Sequence, residues 1–458
     1  MLWNRLGTQD LRGPRFARVT CRKRALFLLA FVLTMFGGAS AVLAQGPEEQ
    51  NSVTTRVFQL VLPQGHLFGD WFGLLPQFES AGVYPTLMLV TDAAGNPIGG
   101  RTQGGATAPS SIAASVLFDL DKILGLKDAS LLVTASERWG RSLSADYIEN
   151  IFAVQQIYGY ETYRLIDVSY QQKYFDDLLE IRVGRFAALD DFLVSAYNCL
   201  FMQLGFCGNP AAILFDSPGV TGYSATWAAA AKVKPTPRSY VQVGAYNGDP
   251  ELRNNNRHGV DLSVKGPFFA MGEAGYQING LPGDNSQLIG NYKLGAWYDG
   301  SRITNFGSRD TTLGSWGVYG LFDQVLVPFG SPGSNRGLGV FGSVIYGLDP
   351  QVQQMPFFFN AGVSVRGIFE SRPADALGLG VVHGRFSEDL QHAQQVEQLT
   401  NPAIGVQTFE TAIELTYRLY FKNNSVFLQP DLQYIIRPNG TGVIRNALVA
   451  GLQFGVNF

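Results

Sequence analysis

The chain has 458 residues, of which only 16% are charged, with 53 glycines, 12% aromatic residues and 34 Lys+Arg against 37 Asp+Glu. A water-soluble protein of this length carries about 25% charged residues, and the acidic balance disfavours nucleic acid or anionic headgroups as partners. Apolar runs after residue 44 are all too short for a spanning helix, so any membrane crossing there must be made by strands.

In chain order, Arg22-Lys-Arg24 precedes an apolar run from Ala25 to Phe36, and small residues then lead to Val42-Leu-Ala44. Residues 1–44 are expected to be a secretory signal cleaved before Gln45, since the run is short for a membrane anchor. Its removal takes seven basic and one acidic residue and leaves 27 Lys+Arg against 36 Asp+Glu. Residues 45–82 are expected to be a periplasmic N-terminal segment. It opens on the polar Gly46-Pro-Glu-Glu-Gln-Asn-Ser52 and continues through Gly69-Asp-Trp-Phe-Gly73 into a short helix within Leu74–Ala81.

From residue 83 onward, side chains alternate between apolar and polar with the two-residue period of a strand. Candidate strands fall near 83–90, 112–119, 130–137, 162–174, 179–187, 221–232, 239–246, 259–266, 269–277, 289–299, 314–323, 338–347, 358–369, 375–386, 409–421, 425–436 and 446–458. In the hairpin 409–436, Ile413, Leu415 and Tyr417 share one face, and Glu414, Thr416 and Arg418 the other. The final strand repeats the pattern: Leu448, Leu452, Phe454, Val456 and Phe458 against Ala447, Val449, Gly451, Gln453 and Asn457. One lipid-facing and one water-facing side, ending on an aromatic residue, predict an all-β transmembrane antiparallel β-barrel over residues 83–458 of an outer membrane.

Such barrels have even strand numbers, so the seventeen runs contain one error. Lys265-Gly-Pro-Phe268 and Lys422-Asn-Asn-Ser425 both read as periplasmic turns, which demands an even number of strands between them where seven are placed. This puts the error in that interval, near 300–313 or 387–408, and predicts sixteen strands, with eighteen as the alternative. Cys199 and Cys207, close together in a turn-rich stretch of an exported chain, predict a disulfide that pins a loop. The four histidines are scattered, so neither a metal site nor a cofactor is expected.

Several motifs together resemble the carbohydrate-selective porin family (OprB-type) of Gram-negative outer membranes. They are Gly69-Asp-Trp-Phe-Gly73; Asn96-Pro-Ile-Gly-Gly100; Val183-Gly-Arg-Phe186 with Asp190-Asp-Phe192; Val243-Gly-Ala-Tyr-Asn-Gly-Asp-Pro250; and Leu294-Gly-Ala-Trp-Tyr-Asp299. Further along come Gly317-Val-Tyr-Gly320, Arg372-Pro-Ala-Asp-Ala-Leu-Gly-Leu-Gly380, Glu410 to Tyr417 and Gln429-Pro-Asp-Leu-Gln-Tyr434. The chain departs from the family pattern at Phe72, where a second glycine is usual, and at Ala374, where an acid is common. The resemblance implies a sixteen-stranded barrel through which mono- and oligosaccharides diffuse passively, with no catalysis.

The residues support the same mechanism. Sugars need hydrogen-bonding partners for their hydroxyls and aromatic faces for their rings. Lys293, Trp297 and Asp299 offer a cation, a stacking surface and an acceptor on one face of a strand, unless the register is shifted by one and Trp297 faces lipid. Arg138, Asp167, Glu180, Arg182, Arg366, Glu414, Arg418 and Gln433 complete the candidate lumen and constriction set. Loop 188–220, which carries the cysteine pair, is the segment expected to fold inward and narrow the pore. Carbohydrates, outer-membrane lipid and lipopolysaccharide are the expected partners, and monomer and homotrimer both stay open. Competing readings are a non-selective porin, a pore for anions, polyols or organic acids, and a barrel enzyme.

Overall fold

The computed structural model describes residues 65–458 apart from 160, 208–211, 218–224, 250–257, 282–283, 285, 331–333 and 335. The expected signal 1–44 and the polar stretch 46–52 lie outside the described residues.

The described residues contain sixteen long strands: β1 (Val83–Gly100), β2 (Ser110–Asp119), β3 (Ala129–Trp139), β4 (Thr162–Tyr174), β5 (Leu179–Phe186), β6 (Thr226–Thr236), β7 (Ser239–Asn247) and β8 (Phe268–Ile278). They continue as β9 (Gly290–Thr304), β10 (Thr311–Phe329), β11 (Arg336–Gly347), β12 (Phe357–Arg366), β13 (Ala376–Arg385), β14 (Phe409–Phe421), β15 (Val426–Ile436) and β16 (Arg445–Asn457). Each pairs antiparallel with its sequence neighbours, and β1 pairs with both β2 and β16, as in Thr91↔Ser110 and Thr91↔Phe454, so the sheet closes on itself. The two-residue strand Ala106–Thr107 folds back onto Ala94 and Gly95 of β1. Closure leaves no unpaired edge, which is what a sheet in hydrocarbon requires.

The outer face carries exposed Val243, Leu294, Val318, Leu379, Ile413 and Leu432 at mid-height. Exposed aromatics ring the two ends: Trp139, Trp227, Tyr298, Trp316 and Tyr346 at one, and Tyr174, Tyr276, Tyr292, Phe322 and Phe421 at the other. Two aromatic girdles around an apolar band mark the lipid-facing wall.

The count of sixteen is the one expected and excludes eighteen, but the error lies neither near 300–313 nor near 387–408: the surplus run is 259–266, which is no strand. Its alternation is real, since Val260, Leu262 and Val264 are all exposed. Its carbonyls, however, are met by side chains in place of a neighbouring strand: Arg185 donates to Gly259 and Asp261, Trp227 Nε1 to Leu262 at 3.1 Å, and Asn247 to Ser263 at 3.0 Å. Lys265–Phe268 therefore lies at the rim opposite Lys422–Ser425, and seven strands between them is the correct number.

The N-terminal residues close over the end of the last strand. His66 Nδ1 lies 2.6 Å from the Phe458 carbonyl oxygen, Trp71 Nε1 donates to the same oxygen at 2.8 Å, and Leu67 N donates to Asn457 O at 2.7 Å. Phe458 N in turn donates to Leu87 O of β1 at 2.9 Å. The short helix expected within 74–81 runs Leu75–Ser80, just before β1.

Candidate functional site: a loop-narrowed lumen

At the rim opposite Phe458, the described residues of two long connections turn into the barrel, those of 140–159 between β3 and β4 and those of 187–207 and 212–217 between β5 and β6. Inward-facing wall residues on β10–β13 include many glycines, and the loop aromatics occupy the space these leave. A Cβ on Gly380 would stand 2.6 Å from Phe206 Cζ, one on Gly378 3.0 Å from Phe201 Cζ, and one on Gly384 2.7 Å from Phe152 Cζ. Phe201 and Phe206 stack with centroids 4.3 Å apart, and Phe201 lies 5.5 Å from Phe341 of β11. These rings belong to a core of side chains enclosed between loop and wall. Cys199 and Cys207 are joined as a disulfide with Cα atoms 4.5 Å apart, which holds the chain ends around both rings together.

Wall carboxylates accept the loops' backbone N–H groups, which would otherwise be buried without partners. Glu414 accepts from Met202 N at 2.6 Å and Gln203 N at 3.1 Å. Glu410 accepts from Ile151 N and Phe152 N at 2.8 Å and from Asn439 N at 2.7 Å. Glu273 accepts from Leu193 N at 2.9 Å, and Asp323 from the Ser195 hydroxyl at 3.0 Å. Wall donors bind loop carbonyls in the same way. Arg418 donates to Cys199 O at 2.8 Å, Gln429 to Leu200 O at 2.6 Å, Asn360 to Gly205 O at 3.1 Å and Gln433 to Val154 O at 3.0 Å. Farther along the loop, Asp216 accepts from Met355 N at 2.6 Å, and burial pushes its carboxyl up to about 8.

Most of the candidate lumen residues lie in this contact zone. Glu414, Arg418 and Gln433 are buried under the loops. Asp167 and Arg182 pair between β4 and β5, and Arg182 reaches the loop's Asp191 at 2.5 Å while its guanidinium lies 3.8 Å over the Phe186 ring. Lys293 donates to Val194 O at 2.5 Å, and Asp299 accepts from Ser217 and from Ser301 N. Trp297 faces inward on β9, and its ring is enclosed in the loop–wall core at 2% exposure. Arg138 and Glu180 are half-buried on the inward face, and Arg366 is exposed there at the Phe458 end of β12. Asn360 faces inward with Ser364 and Arg366, as the alternation of that strand predicts, whereas sequence reasoning did not single out Glu410, Glu273, Asp323 or the wall glycines as lumen residues. An acid on the inward register of a glycine-rich strand is the signal that finds the three carboxylates.

A closed sixteen-stranded barrel with an apolar, girdled exterior and a polar interior narrowed by inturned loops is a porin. The chain belongs to the carbohydrate-selective porin, OprB family, whose model matches residues 104–458. It is 29% identical over 426 residues to Porin B of Pseudomonas aeruginosa, covering 86% of this chain and 91% of the relative. It is 26% identical over 429 residues to the putative porin QuiX of Acinetobacter baylyi, covering 86% and 93%. The solved high-pH structure of Pseudomonas putida OprB superposes with a TM-score of 0.78 at 28% identity, covering 85% of this chain and 97% of that one.

Proposed function

We propose that the protein lets mono- and oligosaccharides diffuse passively across an outer membrane, entering at the rim of the long loops and leaving at the rim of Phe458, where short turns face the periplasm. The observation that carries this reading is the loop segment Val194–Gln203 pinned to the polar lumen wall, which narrows a wide barrel. Arg138, Glu180 and Arg366 are the candidate residues that meet solute. Asp167, Arg182, Lys293, Trp297, Asp299, Glu414 and Arg418 fix the loop that shapes the path, Gln433 holds the neighbouring connection at Val154, and the Cys199–Cys207 bridge keeps the loop tip compact. Weak, successive contacts suit conduction, since a tightly binding pore would not release its cargo. The chain from residue 45 onward, freed of its signal, is the working form, with residues 45–82 on the periplasmic side.

Single-channel conductance of that refolded chain in planar bilayers, titrated with neutral sugars of increasing size and with size-matched polyols, tests the proposal. Saturable block of ion current by sugars, stronger than by polyols, is expected. An open conductance indifferent to sugar would make the protein a general porin.

A further inference from the structure

The lipid-facing wall is not uniform around the barrel. On β13–β16 its mid-height positions carry Leu379, Ile413, Leu415, Leu432 and Leu452. On β8–β12 small residues, Ala274, Gly320, Gly342 and Ala361, interrupt the large ones, and a recess of about 790 Å³ opens there on the outer surface. Strand pairing makes its floor continuous. Leu294 of β9 pairs with Ala274 on one side and Gly320 on the other, Phe322 of β10 pairs with Gly342, and Gly342 pairs with Ala361. Tyr276, Tyr292 and Phe322 form the bank toward the Phe458 rim, and Leu294, Val344 and Phe359 form the other. Small-molecule sites typically have volumes of about 300–1,000 Å³, so the recess is large enough to hold a ligand.

Its length and slope match one leaflet of a membrane. The recess crosses six neighbouring strands, β7 to β12, whose five spacings of about 4.8 Å make it about 24 Å long. It runs across strands tilted at about 40°, so it climbs about 15 Å, half of a hydrocarbon core of about 30 Å. Its foot is Ser239, which opens β7 at the Phe458 rim, and its head is Ala361, midway along β12. With the Phe458 rim on the periplasmic side, as proposed above, the recess rises from the inner interface to the middle of the membrane.

Polar groups gather at the foot. Arg238, in the turn before β7, gives one nitrogen to Asp284. Its other guanidinium nitrogens and the hydroxyl of Tyr276 make no hydrogen bond among the described residues. Ser239 pairs with Tyr276 across the strands, and its hydroxyl lies 2.7 Å from that of Thr236. The recess is thus polar at one end and apolar along the rest, the polarity of a lipid.

We infer that the recess holds one acyl chain of an inner-leaflet phospholipid, whose phosphate is met by Arg238, Ser239 and Tyr276. Because the recess opens on the lipid-facing wall, its occupant comes from the membrane. A lipid tail gains nothing by leaving other tails for an apolar wall, so packing in the recess and the headgroup contacts must supply the affinity. Floor and banks give the tail close contacts along its length, and a guanidinium with two hydroxyls suits a phosphate. The site lies outside the pore and takes only the orientation of the barrel from the reading above.

The test is native mass spectrometry of the refolded chain from residue 45 in mild detergent, titrated with dipalmitoyl phosphatidylglycerol, with dipalmitoylglycerol and lipid A as comparison lipids. One phosphatidylglycerol is expected to stay bound at collision energies that strip all others. In Gly320→Leu/Ala361→Leu, which fills the recess, that lipid should no longer be retained. The substitution at Gly320 is tolerable, since its Cβ would stand 3.3 Å from Leu294 Cδ2, a flexible end that can turn into lipid. Arg238→Gln should weaken phosphatidylglycerol roughly tenfold, the worth of one hydrogen bond to a charged group, and leave dipalmitoylglycerol unchanged. Heat-modifiable gel mobility checks that both variants fold. Wild type that retains no single phospholipid, retention unchanged in the folded recess-filled variant, or equal loss of both lipids in Arg238→Gln would overturn the inference. So would lipid A held more tightly than phosphatidylglycerol, or a second copy of the chain that the recess-filling substitutions remove. Sugar block of the channel should stay at the wild-type level in both variants, so failure of the lipid site and failure of the carbohydrate path are read separately.

Discussion

Glu414 offers the sharpest perturbation of the pore. Its two oxygens receive Met202 N and Gln203 N at the tip of the inturned loop, and all three groups are buried. Glu414→Ala would leave two buried N–H groups without acceptors, at a cost of about 1–3 kcal/mol each, or roughly 2–6 kcal/mol together. With about 1.4 kcal/mol per factor of ten, even the lower figure shifts the balance between docked and released loop by roughly thirtyfold. Arg418, Gln429 and Asn360 still hold the carbonyls of Cys199, Leu200 and Gly205, so the variant should loosen the loop around Met202 and Gln203 while the barrel stays closed. Single-channel recording is expected to show larger or flickering conductance, limited proteolysis should cut near residue 202, and heat-modifiable gel mobility should persist. Glu414→Gln, which keeps one carbonyl acceptor, should fall between wild type and alanine. An alanine variant with wild-type conductance, noise and protease resistance would refute the view that this carboxylate holds the loop.

Other outcomes follow from the same geometry. Gly380→Val should push Phe206 from its place and destabilise the loop by about 1–3 kcal/mol, seen as increased conductance with the barrel intact. Trp297→Ala should cost about 3–5 kcal/mol in thermal unfolding, because the ring is core and not a solvent-facing surface. Reducing the Cys199–Cys207 bridge, whose cysteines are eight residues apart, should cost about 2–3 kcal/mol, measured as a lower unfolding temperature under reductant. Because the folded carboxyl of Asp216 is raised from the ordinary aspartate value of 3.8 to about 8, its contribution is full below pH 3.8 and is lost as pH rises through about 8. Loop opening, followed by conductance noise, should therefore grow across that window in wild type, and Asp216→Asn should flatten the profile.

Hairpin 409–436 was legible because its two faces differ so much in polarity that alternation alone sets its register. The same rule misled at 259–266, where exposed Val260, Leu262 and Val264 alternate on a segment whose backbone is satisfied by side chains. Alternation tells which way a side chain points and not what covers it. Glu414, Arg418 and Gln433 face inward as their spacing predicts, yet loop backbone lies over them where bare water was expected. That cover comes from residues more than 200 positions away, as with Met202 and Glu414, in loops with no period of their own to read. The inward glycines of β13 carried no distinct signal either, because an empty position is informative only once its occupant is known.

The seam between β1 and β16 sets the order in which this molecule can come into being. Until β16 arrives, β1 keeps one side of its backbone unpaired, a cost that hydrocarbon makes severe. The two strands lie more than 300 residues apart along the chain, so the decisive contact is also among the most distant in sequence, a topology that folds slowly. His66, Leu67 and Trp71, which grip the end of β16, sit within some twenty residues of β1. They act as a hasp on a hoop: once the far end is captured, the same short stretch that leads into the first strand keeps the ring from springing open.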